Sequence, residues 1–441
     1  MFTIAPPRHV KKTHLMATSH RPKNAYCWFA ALLAFSGWHT ACLAQTTAHI
    51  SAQTSATLDF DSALRAAEQH APLLRARAAS IQGATALQTS AGLLPDPKLT
   101  LGIADFPVSG PAAGSLTRDN FTMRQIGISQ DVPNRAKRAA RAEAAVARTD
   151  REQALARIEA LAVKRETGLA WIARFFAEKR LALISTLVVQ QRQLVDTAPA
   201  QYAAGKAMAS AVPMARLDAL ALADRQDELQ KDVTQASAQL RRWVGSSAAL
   251  AGGLPALAID PRHLHANIER SADIAAIGPQ QTLAQAEVRE ADAAKTGDWG
   301  WGVSYGRRGQ GYGDLVSVQF TFELPLAPNE RQQPMVIAKQ NEWARLNSER
   351  DDLVRKNTQE LDSMLAELDE SSRKLKRLTL EAEPLAAQRS ALTLAAFESG
   401  RDTLAAVLQA RQQQTELALR GLELQARQAA VQWRLNTLIA D

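Results

Sequence analysis

Between Asn134 and Val244 apolar residues return at helical spacing, and along one line they return every seventh residue. Leu155, Ala162, Leu169, Phe176 and Leu183 form that series, the heptad period of a coiled-coil seam. A helix from Asn134 to Thr197 would be about 95 Å long at ~1.5 Å per residue. Pro199 to Gly205 predicts a turn, after which Leu222, Leu229, Ala236 and Trp243 mark a returning helix at the same spacing. Ahead of this pair an amphipathic helix opens at Leu58, where Asp59 and Asp61 favour the positive end of its dipole. It continues, broken around Pro72, to about Gly92, and Pro95-Asp96-Pro97 ends it. The period then falls to two. Leu99, Leu101 and Ile103 alternate with Lys98, Thr100 and Gly102 in a strand predicted from Lys98 to Asp105. A Pro/Gly/Ser loop, Phe106 to Asn120, leads to a second strand, Phe121 to Asp131, whose alternation is poorer.

A Gly/Pro-rich stretch from Gly245 to Pro261 divides the chain, and after it the same order of elements recurs. A helix from about Gln280 to Thr296 leads into Trp299, Trp301, Val303 and Tyr305, alternating with Gly300, Gly302, Ser304 and Gly306. Beyond the loop Arg307 to Asp314, Val316, Val318, Phe320 and Phe322 alternate with Leu315, Ser317, Gln319 and Thr321, and helices follow to the C-terminus. The recurrence holds residue by residue at one offset of 195: Tyr202, Gly205 and Lys206 reappear as Phe397, Gly400 and Arg401, and Leu222, Leu229, Ala236 and Trp243 as Leu417, Leu424, Val431 and Leu438. The pattern predicts a tandem duplication, with a first repeat at 58–244, a linker at 245–279 and a second repeat at 280–441. Strand hairpins are expected at 98–131 and 299–324 within it.

Composition changes this picture in one respect. A chain of 441 residues would suggest two or three globular units, at ~100 to 200 residues per domain. Aromatics are only 5% while Ala, Leu, Gln, Arg and Glu abound, which fits long, closely packed helices rather than bulky mixed cores.

The first 44 residues carry Arg8, Lys11, Lys12, Arg21 and Lys23 without an acid, then the apolar stretch Tyr26 to Trp38 and the small-residue end Cys42-Leu43-Ala44. This is the pattern of a secretory signal peptide cut after Ala44, followed by a polar segment at 45–57. Met16 offers a start that leaves a signal of ordinary length. Removing the signal leaves 47 basic against 45 acidic residues, a net charge of +2, so the electrostatic footprint of a nucleic-acid binder is absent. Both cysteines, Cys27 and Cys42, leave with it. Lipidation at Cys42 is disfavoured because His39 stands where the preceding triplet expects Leu. No cofactor motif, nucleophile–base pair or metal-ligand set emerges, so an enzyme is not predicted. His263 and His265 fall in the linker without a third ligand nearby, and Met208 and Met214 near the first tip suit packing.

The four strands have about the 9 to 11 residues a tilted membrane strand needs, and two of them show one apolar face opposite a small or polar one. An open sheet in hydrocarbon leaves backbone groups unpaired, so such strands must close into a barrel. Four are too few, and three copies would supply twelve around an aqueous lumen. A soluble coiled-coil scaffold would explain the heptads but not the paired strand faces.

Several segments resemble the TolC-like outer-membrane efflux proteins. The opening Leu58-Asp59-Phe60-Asp61-Ser62-Ala63-Leu64, with Ala67 and His70-Ala71-Pro72, resembles that family's N-terminal helix. The two copies of aromatic-x-x-Gly resemble its periplasmic hairpin tips. The resemblance implies a mainly α chain with a membrane β-barrel, a homotrimer whose barrel continues as a long periplasmic coiled-coil α-barrel, and a place in the outer membrane. It also implies a periplasmic adaptor (membrane fusion) protein and an inner-membrane pump as partners. Tyr202, Gly205, Lys206, Phe397, Gly400 and Arg401 would be the adaptor-contact tips. Trp299, Trp301, Val303, Tyr305, Val316, Val318, Phe320 and Phe322 would face outer-membrane lipid. A finer resemblance, to the heavy-metal subgroup of RND-type tripartite systems, is carried by Leu94-Pro95-Asp96-Pro97 with Leu99 and Leu101-Gly102, by Met123 to Gly127 with Gln130 and Pro133, and by Tyr305 to Arg308, Leu324-Pro325 and Asn329 to Gln332. A channel of the same fold for drug efflux or type I protein secretion is the alternative. The chain departs from TolC itself six and nine positions after the tip glycines, where acids are replaced by Ala211 and Met214 in one copy and by Ala406 and Gln409 in the other.

Overall fold

A computed structural model describes residues 57–205, 208–309 and 311–439. The expected signal peptide at 1–44, the polar segment up to residue 56 and Lys206 lie outside the described residues. Two helices open the structure, α1 (Phe60–His70) and α2 (Pro72–Gln88). The Asp59 carboxylate caps α1 by accepting the Ser62 N–H at 2.7 Å. Pro72 sits in the first turn of α2, where its missing N–H has no helical partner to lose. Strands β1 (Lys98–Ala104) and β2 (Met123–Val132) precede the long helices α3 (Arg135–Ala203) and α4 (Ala211–Val244). The second half holds α5 (Pro261–Ala266), α6 (Ala272–Ala275), α7 (Ile277–Ala293), β3 (Trp299–Arg307) and β4 (Leu315–Phe322). It ends with α8 (Pro328–Arg377), a π-helical turn at Leu378–Ala382, α9 (Glu383–Glu398) and α10 (Leu404–Asn436). The four strands form one antiparallel sheet in the order β1-β2-β3-β4, so β2 and β3 join the two halves.

Several boundaries differ from those the sequence predicts. Helix α3 runs through Pro199 to Ala203, because this proline forfeits only one hydrogen bond near the helix end. Leu194, Val195 and Ala198 pack there against Ala211, Ala215, Leu404 and Leu408, which holds the last turn. The stretch expected as a linker, 245–279, contains α5, a 3₁₀ turn at Ile268–Arg270, α6 and the start of α7. Leu264 and Ile268 anchor it by burial against Leu361, Val431, Leu435 and Ile439. In the second half Pro384 lies inside a helical run and cannot bond to the carbonyl four residues back. The π turn immediately before it widens the helix where the ring would otherwise clash.

The heptad seam is displaced by one residue. Val163, Ala170, Ala177 and Ile184 are closed off from solvent together with Phe176, whereas Leu155, Ala162, Leu169 and Leu183 are half-buried. Helix α3 packs on α1, α2, α4, α7 and α10, so the line beside the predicted seam is covered as well.

One aromatic cluster ties both halves to the N-terminal helix. Phe60 meets Trp171 and Trp433 edge-on at 5.4 and 4.8 Å, and Phe175 stacks on Trp171 at 5.1 Å. Each indole N–H finds a carbonyl: Trp171 donates to Leu58 at 3.3 Å and Trp433 to Arg165 at 2.9 Å. The α3 backbone can approach Trp433 because residue 168 is glycine. A Cβ there would lie 2.2 Å from the Trp433 Nε1.

A second cluster fixes the sheet to the helices. Asn134 caps α3 by accepting the Lys137 N–H at 2.8 Å, while its Nδ2 donates to the carbonyls of Ala293 and Thr296 at 2.9 and 2.8 Å. The Asp298 carboxylate accepts the Asn134 N–H and the Lys137 ammonium, both at 2.9 Å. Partial burial works to raise the Asp298 carboxyl, but the Lys137 and Asn134 hydrogen bonds outweigh it and hold the group below the ordinary carboxylate range.

Two outcomes are expected. Gly168→Ala should destabilise, since overpacking costs about 1 to 3 kcal/mol and a ring held by its own hydrogen bond yields little, against about 1 kcal/mol gained in helix propensity; thermal unfolding checks it. Because the Asp298 pKa is depressed in the fold, its contribution is present above the ordinary range and is lost as pH falls from about 4 through the lowered value. Wild type should therefore lose stability over that window that an Asp298→Asn variant does not lose.

Candidate membrane face and helical tips

Strand register turns four separate alternations into one surface. Leu101, Ile126, Tyr305 and Val316 lie in one row across the sheet, and Leu99, Ile128, Val303 and Val318 in the next. Trp301 opposite Phe320 and Trp299 opposite Phe322 complete the face toward the helices, and Ile103 extends it the other way. All thirteen of these side chains are exposed, Leu101 at 70% and Val316 at 68%. The predicted residues Trp299, Trp301, Val303, Tyr305, Val316, Val318, Phe320 and Phe322 are thus together on one face. Five more, Leu99, Leu101, Ile103, Ile126 and Ile128, join them.

The opposite face carries Thr100, Gly102, Gln125, Gly127, Ser129, Gly300, Gly302, Ser304, Ser317, Gln319 and Thr321. Crowding requires a small residue at one point of it: a Cβ on Gly127 would meet the Ser304 Cβ at 3.0 Å and the Val303 carbonyl at 3.2 Å. Aromatic side chains stand at both ends of the apolar band. Trp299, Trp301, Phe320 and Phe322 are near the helices, and Tyr305 stands near the loops, where Phe121 lies 6.2 Å from Tyr312.

The strands contain 7, 10, 9 and 8 residues, so β1 and β4 fall short of the 9 to 11 expected. Both are edge strands, paired on one side only. A strand with half its ladder missing loses pairing first at its ends.

At the far ends of the long helices lie the tips. Gly205 has φ +68° and Gly400 φ +72°, the left-handed region that a Cβ disfavours. The Gly400 N–H donates to the Phe397 carbonyl at 2.9 Å and the Arg401 N–H to that of Ala396 at 2.8 Å, which closes the end of α9. Thr403 then caps α10 through the Ala406 N–H at 3.3 Å. Tyr202 is exposed, whereas Phe397 packs against a small apolar cluster of Ala198, Ala211, Ala215, Leu404 and Leu408. That cluster draws on both halves, so the two tips lie side by side.

A groove of about 570 Å³ between α3, α4 and α10 is lined by Ile184, Leu222, Leu408 and Leu419 and by charges of both signs, among them Asp218, Arg225, Arg411 and Glu416. Partial burial raises the Asp218 carboxyl above its ordinary value. His263 and His265 lie in α5 rather than a loop, and His265 faces Asp362 at 3.4 Å. Among the described residues no group of three His, Cys, Asp or Glu is placed to hold a metal ion, and no helix is long and apolar enough to cross a membrane.

No family model matches the sequence, and no curated protein matches it. Solved structures do. A membrane protein from Pseudomonas aeruginosa is 18% identical with a TM-score of 0.75, over 86% of this chain and 92% of its own. CusC, whose crystal structures concern folding and transmembrane channel formation, has a TM-score of 0.75 at 14% identity, over 87% and 92% of the two chains. The outer membrane protein VceC from Vibrio cholerae reaches 0.71 at 18% identity, over 86% and 95%. At such identities the likeness establishes the fold. The chain has the architecture of a TolC-type channel-tunnel protomer, mainly helical with a four-stranded sheet.

The two faces of the sheet separate in one experiment. Val318→Arg, in the middle of the apolar face, should cost about 2 to 4 kcal/mol if that face meets lipid near the midplane, whereas Gln319→Arg next to it should be tolerated. Yield of membrane-assembled protein checks it, and equal defects would mean that the faces are reversed.

Proposed function

We propose that this chain is one protomer of a homotrimeric outer-membrane channel. It would be a passive conduit through which a periplasmic adaptor and an inner-membrane RND-type pump discharge solute to the exterior. The observation that carries the reading is the sheet, with a continuous exposed apolar face, a small and polar opposite face, and two open edges. In water such a face is an aggregation hazard. In lipid it is matched, provided the edges close. Four strands do not enclose a pore, and three copies would supply twelve. The long helices, none of them apolar enough to cross a membrane among the described residues, would continue the conduit in the periplasm. The outer-membrane and channel character of VceC and CusC supports the same reading. The N-terminal segment would direct export and be removed after Ala44.

The cargo proposed is heavy-metal ions. The support is the resemblance of segments 94–102, 123–133 and 305–332 to the metal-exporting subgroup. Selectivity among solutes would rest with the pump. The adaptor would engage the tips through Tyr202, Gly205, Lys206, Phe397, Gly400 and Arg401. Their support is the adjacency of the two turns and the exposed positions of Tyr202 and Arg401.

Replacing Lys206 and Arg401 with Glu should abolish metal efflux and adaptor crosslinking while trimer yield stays normal. A double variant that exports and crosslinks like wild type would remove the tips from the mechanism. Deletion of the gene should sensitise its host to heavy-metal ions; sensitivity to hydrophobic drugs alone would move the cargo to the drug class and leave the channel standing.

A further inference from the structure

The junction between the two halves inside the chain shows what one repeat does to the next. Helices α2, α3, α7 and α8 pack in a row, each on its neighbour, above strands β1 to β4 in the same order. Helices α2 and α7 are counterparts: each has 17 residues, leads into a hairpin, and is followed by a glycine four residues after its last residue, Gly92 and Gly297. Their burial differs sharply. Helix α7, flanked by α3 and α8, buries Ile277, Leu283, Ala284, Ala286 and Ala291, whereas α2, flanked by α3 alone, buries none. Leu87 on α2 is 70% exposed, and Met335 and Ile337 are exposed on α8 at the other end of the row.

The polar cluster at the junction has the same one-sidedness. Pro133-Asn134 recurs as Pro328-Asn329 at the 195-residue offset of the duplication. Asn134 is tied to the end of α7, the first helix of the next repeat, by its two hydrogen bonds to Ala293 and Thr296. Asn329 is exposed and makes no side-chain hydrogen bond among the described residues, and α8 begins without a side-chain cap. Gln332, in the place of Lys137, has its Oε1 buried without a partner. Among the described residues no third repeat follows whose first helix could receive Asn329.

We infer that a second copy of this chain supplies it. The α8–β4 side of one copy seats on the α2–β1 side of the next, and Asn329 donates to the carbonyls at the end of that copy's α2, near Ala91, as Asn134 does at the end of α7. The same docking covers α2 on its bare side and gives the edge strands β1 and β4 each other as partners. The inference rests on the trimeric reading above and adds the residues that set its register. It also accounts for the short edge strands.

Engineered cysteines test it in the full-length chain with Cys27 and Cys42 replaced by Ser. Asn329→Cys with Ala91→Cys should give covalent dimers and trimers on oxidation, while either substitution alone gives none. The pair Asn134→Cys with Thr296→Cys, from the junction inside the chain, should close without a change in mass and serves as the control. Trimers that assemble and fail to crosslink while the control closes would overturn the inference and leave the trimeric channel intact. A chain that stays monomeric while the control closes would overturn both.

Discussion

A strand's N–H and C=O groups must be paired wherever water cannot reach them, and in this chain β2 and β3 are paired on both sides while β1 and β4 are paired on one. That imbalance governs the rest. An apolar face across the sheet would be unremarkable if it were packed under helices, but here it is bare. A one-residue slip between strands would send the bulky set to the opposite face, where a Cβ at Gly127 already has no room. Register is therefore the quantity to be protected. The Asn134 and Asp298 cluster sits immediately beyond the Val132 and Trp299 pair that ends the β2–β3 ladder. It binds the hairpins to the long helices at the point where a slip would begin.

How legible this was in the sequence depends on how different the two environments of each element are. In β3 and β4 every second residue is aromatic or branched and its neighbours are mostly glycine, serine or polar, so period two is plain. In β2 the apolar face is interrupted by Arg124 and Gln130, and only the pairing with β3 shows that Ile126 and Ile128 belong to it. The helices were legible in kind and less so in phase. A helix with one partner buries one seam, but α3 has several, and burial moved to the adjacent line of Val163, Ala170, Ala177 and Ile184. Pro199 suggested a turn because sequence alone does not reveal the packing that carries a helix past a proline. The Asn134 cluster joins residues 164 apart and has no local signature. Its one trace was the recurrence of Pro-Asn at the offset that relates the tips.

The duplication is strict where helices must meet and loose elsewhere. The tip glycines keep their left-handed conformation in both halves, and Leu240 and its counterpart Leu435 are both closed off from solvent. The prolines inside the long helices are not matched. Pro199 stands in the last turns of α3, where one lost hydrogen bond is cheap, while Pro384 stands inside the α8–α9 run, where the helix must widen into a π turn. Gly421 on α10 faces that widened turn, and a Cβ there would come within 2.8 Å of the Glu383 carboxylate. The backbone defect and the glycine opposite it form one local solution that the first half does not need.

The same economy explains how long helices are held with so few aromatics. Between α3 and α7 the buried contact is Ala144, Ala147, Leu283 and Ala286, and small side chains let the two helices approach closely. Charges line this seam, with Arg141 on Glu290 and Arg289 on Glu143, both at 2.6 Å. These pairs are largely exposed, and exposed pairs contribute roughly 0 to 1 kcal/mol each. Their effect is therefore on phase rather than depth: a shift of α7 along α3 would leave the guanidinium groups opposite the wrong side chains, while the alanine contact alone would tolerate it. The energy of the assembly thus comes from many small contacts summed along the helices, and its specificity from charges and caps at their margins. A wall built this way needs few bulky residues along its length, and the chain can carry thirteen large apolar side chains on the exposed face of the sheet.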